Sequence, residues 1–162
     1  MPKTIKLLGN SKAESNIDLQ VPLPSSPLTV HAEESEADLI HVLIVEDDEN
    51  YREIVSSELA WHGFAVNCFA NGDALLGSLD AAAEADVIVL DWRLPTISGI
   101  DLLLELRQCG VNVPLVFLTS HAQPANEQLA FQYGARGFID KTRGVEALAS
   151  RLRQVAQAGK HY

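Results

Sequence analysis

From Leu39 onward the chain repeats one unit, a short apolar run followed by a stretch with helical spacing. The runs are Ile40 to Val45, Phe64 to Phe69, Val87 to Leu90, Val113 to Leu118 and Arg136 to Ile139. The helical stretches are Asn50 to His62, Asp73 to Leu79, Gly99 to Gln108, Ala122 to Tyr133 and Val145 to Ala158, with Gly63, Gly110 and Gly134 as stop signals. In the first helix Tyr51, Ile54, Val55 and Leu59 are expected on one inward face; in the third, Leu102, Leu103 and Leu106. Strands that alternate with helices imply βαβ units and a parallel sheet, and continuous apolar strands imply burial on both faces. With right-handed crossovers the result is a doubly wound α/β domain with helices on both faces. Its functional groups are expected outside the carboxyl ends of the strands.

Those ends share a chemistry. The first strand hands over to Glu46-Asp47-Asp48, the third to Asp91, the fourth to Thr119-Ser120 and the fifth to Asp140-Lys141. Crowded carboxylates repel, and a bound cation relieves the repulsion. Hard oxygen ligands with open positions suit Mg²⁺, which keeps waters and binds phosphate oxygens. A lysine and a threonine hydroxyl beside them supply positive charge and a hydrogen-bond donor for a transferring phosphoryl group. One carboxylate is then free to act as nucleophile, and Asp91, after its fully apolar strand, is the candidate. Asp48 reads as the cap of the first helix rather than as a ligand. Taken singly, Thr119 is a strand-end hydroxyl, Lys141 a solvated charge and Phe138 a core ring; Trp92, beside Asp91, is either loop packing or a lid.

The stretches Val42 to Asp48, Val87 to Pro95 with Gly99, Val116 to Thr119, Gly134-Ala135 and Phe138 to Lys141, in that order, resemble the receiver domain of two-component response regulators over residues 40 to 158. The resemblance implies a five-stranded sheet in the flavodoxin-like order 2-1-3-4-5. It implies that Asp91 is phosphorylated by a sensor histidine kinase. Asp47, Asp91 and the backbone carbonyl of Arg93 would bind Mg²⁺ directly, and Glu46 through a water. Lys141 would contact the acyl phosphate, Thr119 would swing toward it, and Phe138 would turn inward as the switch aromatic. Arg93 and His121 match positions that tune dephosphorylation. The output face is the fourth helix, fifth strand and fifth helix, with Glu127 and Arg136 as candidate members. Two residues depart from the pattern. Thr142 stands where proline usually follows the lysine, so the loop holding Lys141 is expected to be trans or looser. Phe138 lacks the hydroxyl of the common tyrosine.

Composition sets outer bounds. The formal net charge of -10 argues against nonspecific binding to DNA or anionic lipid. No apolar run approaches the ~20 residues that cross a bilayer, and the N-terminus has no continuous apolar core of an export signal, so a cytoplasmic location is the default. Cys68 and Cys109 are expected to be free, half-buried thiols. Residues 1–38 are read as an extension, with Pro22, Pro24, Pro27 and the acidic run Glu33 to Asp38; residues 39–162 are the domain. Ile17, Leu19 and Val21 alternate with Asp18 and Gln20, so the extension is either a disordered tail or an arm that adds strands to a partner.

Three functions follow. The first is a phosphorylation switch that changes partner or homodimer contacts, through the output face or the arm. It would be a single-domain regulator or a receiver cut from a DNA-binding transcriptional regulator of the winged-helix type. The second is an aspartyl-phosphate phosphatase, which needs an aspartate where this chain has Arg93. The third is a constitutive dimerisation module.

Overall fold

The computed structural model describes residues 38–160. Strand β1 is Ile40–Val45, and α1, Glu49–Trp61, follows it. Asp48 caps α1 by accepting the Tyr51 N–H at 3.0 Å, as expected from the sequence. Strand β2 is Phe64–Phe69. Two short helices come next, α2 at Gly72–Leu76 and α3 at Leu79–Glu84. Strand β3, Val87–Asp91, leads to α4, Gly99–Gln108, which Ser98 caps. Strand β4, Leu115–Thr119, leads to α5, Pro124–Gln132. Strand β5, Gly137–Asp140, passes through a 3₁₀ turn, Lys141–Arg143, into α6, Gly144–Gly159.

The strands form one parallel sheet in the order β2-β1-β3-β4-β5, the expected doubly wound topology. The register brings the carboxyl ends together, with Val45 beside Leu90, Asp91 beside Leu118 and Thr119 beside Asp140. Alternate residues feed two cores. Val42, Ile44, Val89 and Leu118 pack with Val55, Leu59 and Leu152 on one face. Leu43, Ile88, Leu90 and Phe117 pack with Leu75, Leu102 and Leu106 on the other. Every residue of β3 and β4 is buried, which explains the unbroken apolar runs Val87 to Leu90 and Leu115 to Leu118.

Three expectations change. The single helix read over Asp73 to Leu79 is two helices, because the chain turns at Gly77 and Ser78 and restarts. Ile54 does not face the core; it is 53% exposed, since Val55 and Leu59, four residues apart, define the buried stripe. Cys68 and Cys109 are free but exposed rather than half-buried. The expected N-terminal arm or tail, apart from Asp38, lies outside the described residues. No helix among the described residues is long and apolar enough to cross a membrane.

Candidate functional site

Three carboxylates meet at the carboxyl edge of the sheet. Glu46, Asp47 and Asp91 each present an oxygen, and these oxygens lie within 4.8 Å of one another. Glu46 and Asp91 are buried, whereas Asp47 is open to solvent. Lys141 enters from the end of β5. Its Nζ lies 2.6 Å from Glu46 Oε2 and 3.1 Å from Asp91 Oδ2. The Asp91 carboxylate is held from both sides, since its Oδ1 accepts the Arg93 backbone N–H at 3.0 Å. Glu46 is fixed similarly, with its Oε1 accepting the Asp48 N–H at 3.1 Å.

The electrostatics follow from burial. Glu46 has a raised pKa, first because it is removed from water and then because Asp91 is near; the bonds from Lys141 and Asp48 only partly offset this. Burial alone would pull Lys141 down, but its hydrogen bond to Glu46 and the charge of Asp91 hold it above the usual lysine range. One ammonium, paired with Glu46 and Asp91, serves a cluster of three carboxylates, two of them buried. Hard oxygen donors with a solvent-open side fit a small divalent cation that keeps part of its water shell.

The other expected residues occupy defined places. Thr119 is buried at the end of β4, and its Oγ1 accepts the His121 N–H at 3.0 Å. His121 is exposed and its ring meets Ser120. The Arg93 side chain is exposed too; its backbone N–H is the group that meets Asp91. Phe138 is half-buried and lines a groove with Glu127, Arg143 and Arg151 across β5 and α6.

Two features escaped the sequence reading, and a third decides between its two readings of Trp92. The Tyr51 ring lies under the Lys141 ammonium, 4.3 Å from Nζ to the ring centroid. Trp92 packs edge-on against Phe117 and Phe138. Asp140 Oδ1 accepts both the Thr142 N–H at 2.8 Å and its hydroxyl at 2.7 Å. The described residues contain no cis peptide bond, so the Lys141–Thr142 bond is trans. The loop is clamped by Thr142 rather than loose. Gly99 closes the far wall, its N–H donating to the Trp92 carbonyl at 3.1 Å.

The flavodoxin-like sheet thus carries an acidic pocket and a seated lysine at its carboxyl edge. Residues 42–153 match the response regulator receiver domain, and the chain belongs to that family, the phosphorylation-activated receivers of two-component systems. Over 115 residues it is 33% identical to the uncharacterized transcriptional regulatory protein YkoG of Bacillus subtilis (strain 168), covering 70% of this chain and 49% of the relative. Over 118 residues it is 31% identical to the sensory transduction protein RegX3 of Mycobacterium tuberculosis (strain ATCC 25618 / H37Rv), covering 73% and 51%. The chain thus spans about half the length of these curated relatives. Among solved structures it resembles the chemotaxis protein CheY4 of Vibrio cholerae, with TM-score 0.66, 28% identity, and coverage of 72% of this chain and 98% of that one.

Proposed function

We propose that Asp91 accepts a phosphoryl group from the phosphohistidine of a sensor histidine kinase. The observation that carries this is the two-sided hold on its carboxylate, with the Arg93 N–H on Oδ1 and Lys141 on Oδ2. An Asp91 oxygen forms the new P–O bond as the P–N bond breaks. The electron pair stays on the donor imidazole nitrogen, which takes up a proton. Asp47, Asp91, the Arg93 carbonyl and, through water, Glu46 would hold Mg²⁺; when bound it supplies charge neutralisation for the phosphoryl oxygens. Lys141 meets a phosphoryl oxygen, and Thr119 offers its hydroxyl from the adjoining strand end.

The product adds about -1.5 to -2 charge at Asp91. Phe138 is placed to relay that change, because it touches Trp92 on one side and lines the α5–β5–α6 groove on the other. This face would serve partner or homodimer contacts, with the N-terminal extension as a further candidate surface. Arg93 and His121 would tune dephosphorylation, and the same reading puts the protein in the cytoplasm. The names of the relatives favour a second reading of the output, in which this receiver region serves a transcriptional regulator.

Labelling with acetyl phosphate or BeF₃⁻ in Mg²⁺ tests the proposal. Stable labelling with slow release is expected. Rapid multiple turnover would make the protein a phosphatase, and no uptake would leave a scaffold.

A further inference from the structure

Lys141 has three partners, and one of them is not a carboxylate. Glu46 and Asp91 reach its Nζ at 2.6 and 3.1 Å, and the Tyr51 ring lies 4.3 Å from it. Tyr51 is well placed to be a fixed wall. It sits in the first turn of α1, its backbone N–H is bound by the Asp48 cap, and its ring packs against the core cluster of Val55, Leu59 and Leu148. The two carboxylates, by contrast, are the groups that the proposed reaction gives over to metal and phosphoryl oxygens. Their hold on Lys141 therefore changes during the reaction, whereas the ring's hold does not.

We propose that Tyr51 is a positioning residue, whose π face keeps the Lys141 ammonium at the acceptor by a cation–π contact while Glu46 and Asp91 are otherwise engaged. This rests on the reading of Lys141 as the group that meets the phosphoryl group. The ring, not the hydroxyl, is the active feature. The phenol stays neutral, because burial pushes it up to about 12. Phenylalanine therefore rescues the role, and leucine, apolar but without a π face, does not.

The test uses the full chain as wild type, Tyr51→Phe and Tyr51→Leu. One readout is the NMR shift of the Lys141 Hε protons in metal-free protein; the other is the initial rate of Asp91 labelling by acetyl phosphate in saturating Mg²⁺. Upfield, ring-shifted Hε signals are expected in wild type and Tyr51→Phe and are lost in Tyr51→Leu. Labelling is expected to be about 3- to 10-fold slower in Tyr51→Leu than in Tyr51→Phe, the scale of a half-buried cation–π contact. Adding Lys141→Met should erase the difference between the two Tyr51 variants. Equal labelling rates in Tyr51→Phe and Tyr51→Leu would overturn the proposal. So would Lys141 Hε signals at ordinary positions in the wild type, a result that holds even if Tyr51→Leu does not fold. Absence of label on the wild type would overturn the reading of Asp91 instead, and the Hε shifts would still decide the lysine seat.

Discussion

The Trp92 indole stands edge-on to the Phe138 ring, with centroids 5.5 Å apart and planes at 78°. It meets Phe117 in the same way, at 5.1 Å and 74°. Trp92 follows Asp91 directly in the chain, so a single side chain joins the proposed acceptor to the ring that lines the α5–β5–α6 groove. Edge-to-face pairs contribute about 0.5–1.5 kcal/mol beyond area burial, enough to bias a ring between two positions.

This packing makes Trp92 an internal reporter. The chain has two tryptophans, and Trp61 is 88% exposed near the end of α1. Addition of BeF₃⁻ and Mg²⁺ is expected to change the tryptophan emission. The change should persist in Trp61→Phe and vanish in Trp92→Phe. Steady-state fluorescence measures it, and an unaltered response in Trp92→Phe would contradict the coupling.

Gly99 should not tolerate a methyl group. A Cβ there would lie 2.4 Å from the Asp91 carbonyl oxygen and 2.9 Å from Phe117 Cε1. Alanine favours a helix over glycine by about 1 kcal/mol, but overpacking against backbone costs about 1–3 kcal/mol. The clash should win, because the carbonyl belongs to the buried strand β3 and has little freedom to yield. Gly99→Ala is expected to lower stability in urea denaturation by about 2 kcal/mol, the upper end of the overpacking cost less the helix gain, and to slow labelling of Asp91. A variant as stable as wild type would count against this geometry.

Alkaline pH should weaken the fold through Tyr51 and Lys141. Burial first, then the charges of Glu46 and Asp91, raise the phenol from 10.0 to about 12 despite the opposing effect of Lys141. Lys141 is also raised. Both groups bind their protons more tightly in the folded state. The stability they contribute is complete below the unfolded-state values and is lost as pH rises through the folded ones. Urea midpoints are expected to fall between pH 10 and about 12, less steeply in Tyr51→Phe than in wild type. Parallel curves would contradict the assignment.

Thr142→Pro should loosen the lysine loop rather than tighten it. Proline has neither the N–H nor the hydroxyl that Thr142 gives to Asp140. Those two bonds, first the backbone one, are what hold the Asp140 carboxyl below its usual range. In Thr142→Pro the Asp140 pKa is expected to rise toward the ordinary value, as followed by carboxyl NMR titration. No rise would show that the clamp is absent in solution.

The sheet was legible because each strand is marked by side chains that must be buried on both faces. Val87 to Leu90 cannot be anything but a central strand once its neighbours alternate with helices. The acidic set was legible because the fold rule gathers strand ends, and Glu46, Asp91 and Lys141 are in contact there. What was missed depends on contacts between distant segments. Tyr51 read only as an inward residue of a helix, since nothing local indicates that Lys141 would rest on it. Trp92 could be lid or packing until Phe117 and Phe138 fixed its surroundings. The second short helix was lost because the first was read through Gly77-Ser78 to Leu79, and Leu79 to Glu84 has a single large apolar residue, too little to declare a new face.

The most direct test of Asp91 as the acceptor is site mapping. Protein labelled with acetyl phosphate in Mg²⁺ is reduced with borohydride, which converts an aspartyl phosphate to homoserine, and digested for mass spectrometry. Homoserine at position 91 is expected, with none in unlabelled protein and none anywhere in Asp91→Asn. Homoserine at Asp47 or another carboxylate, or equal labelling of Asp91→Asn, would contradict the assignment.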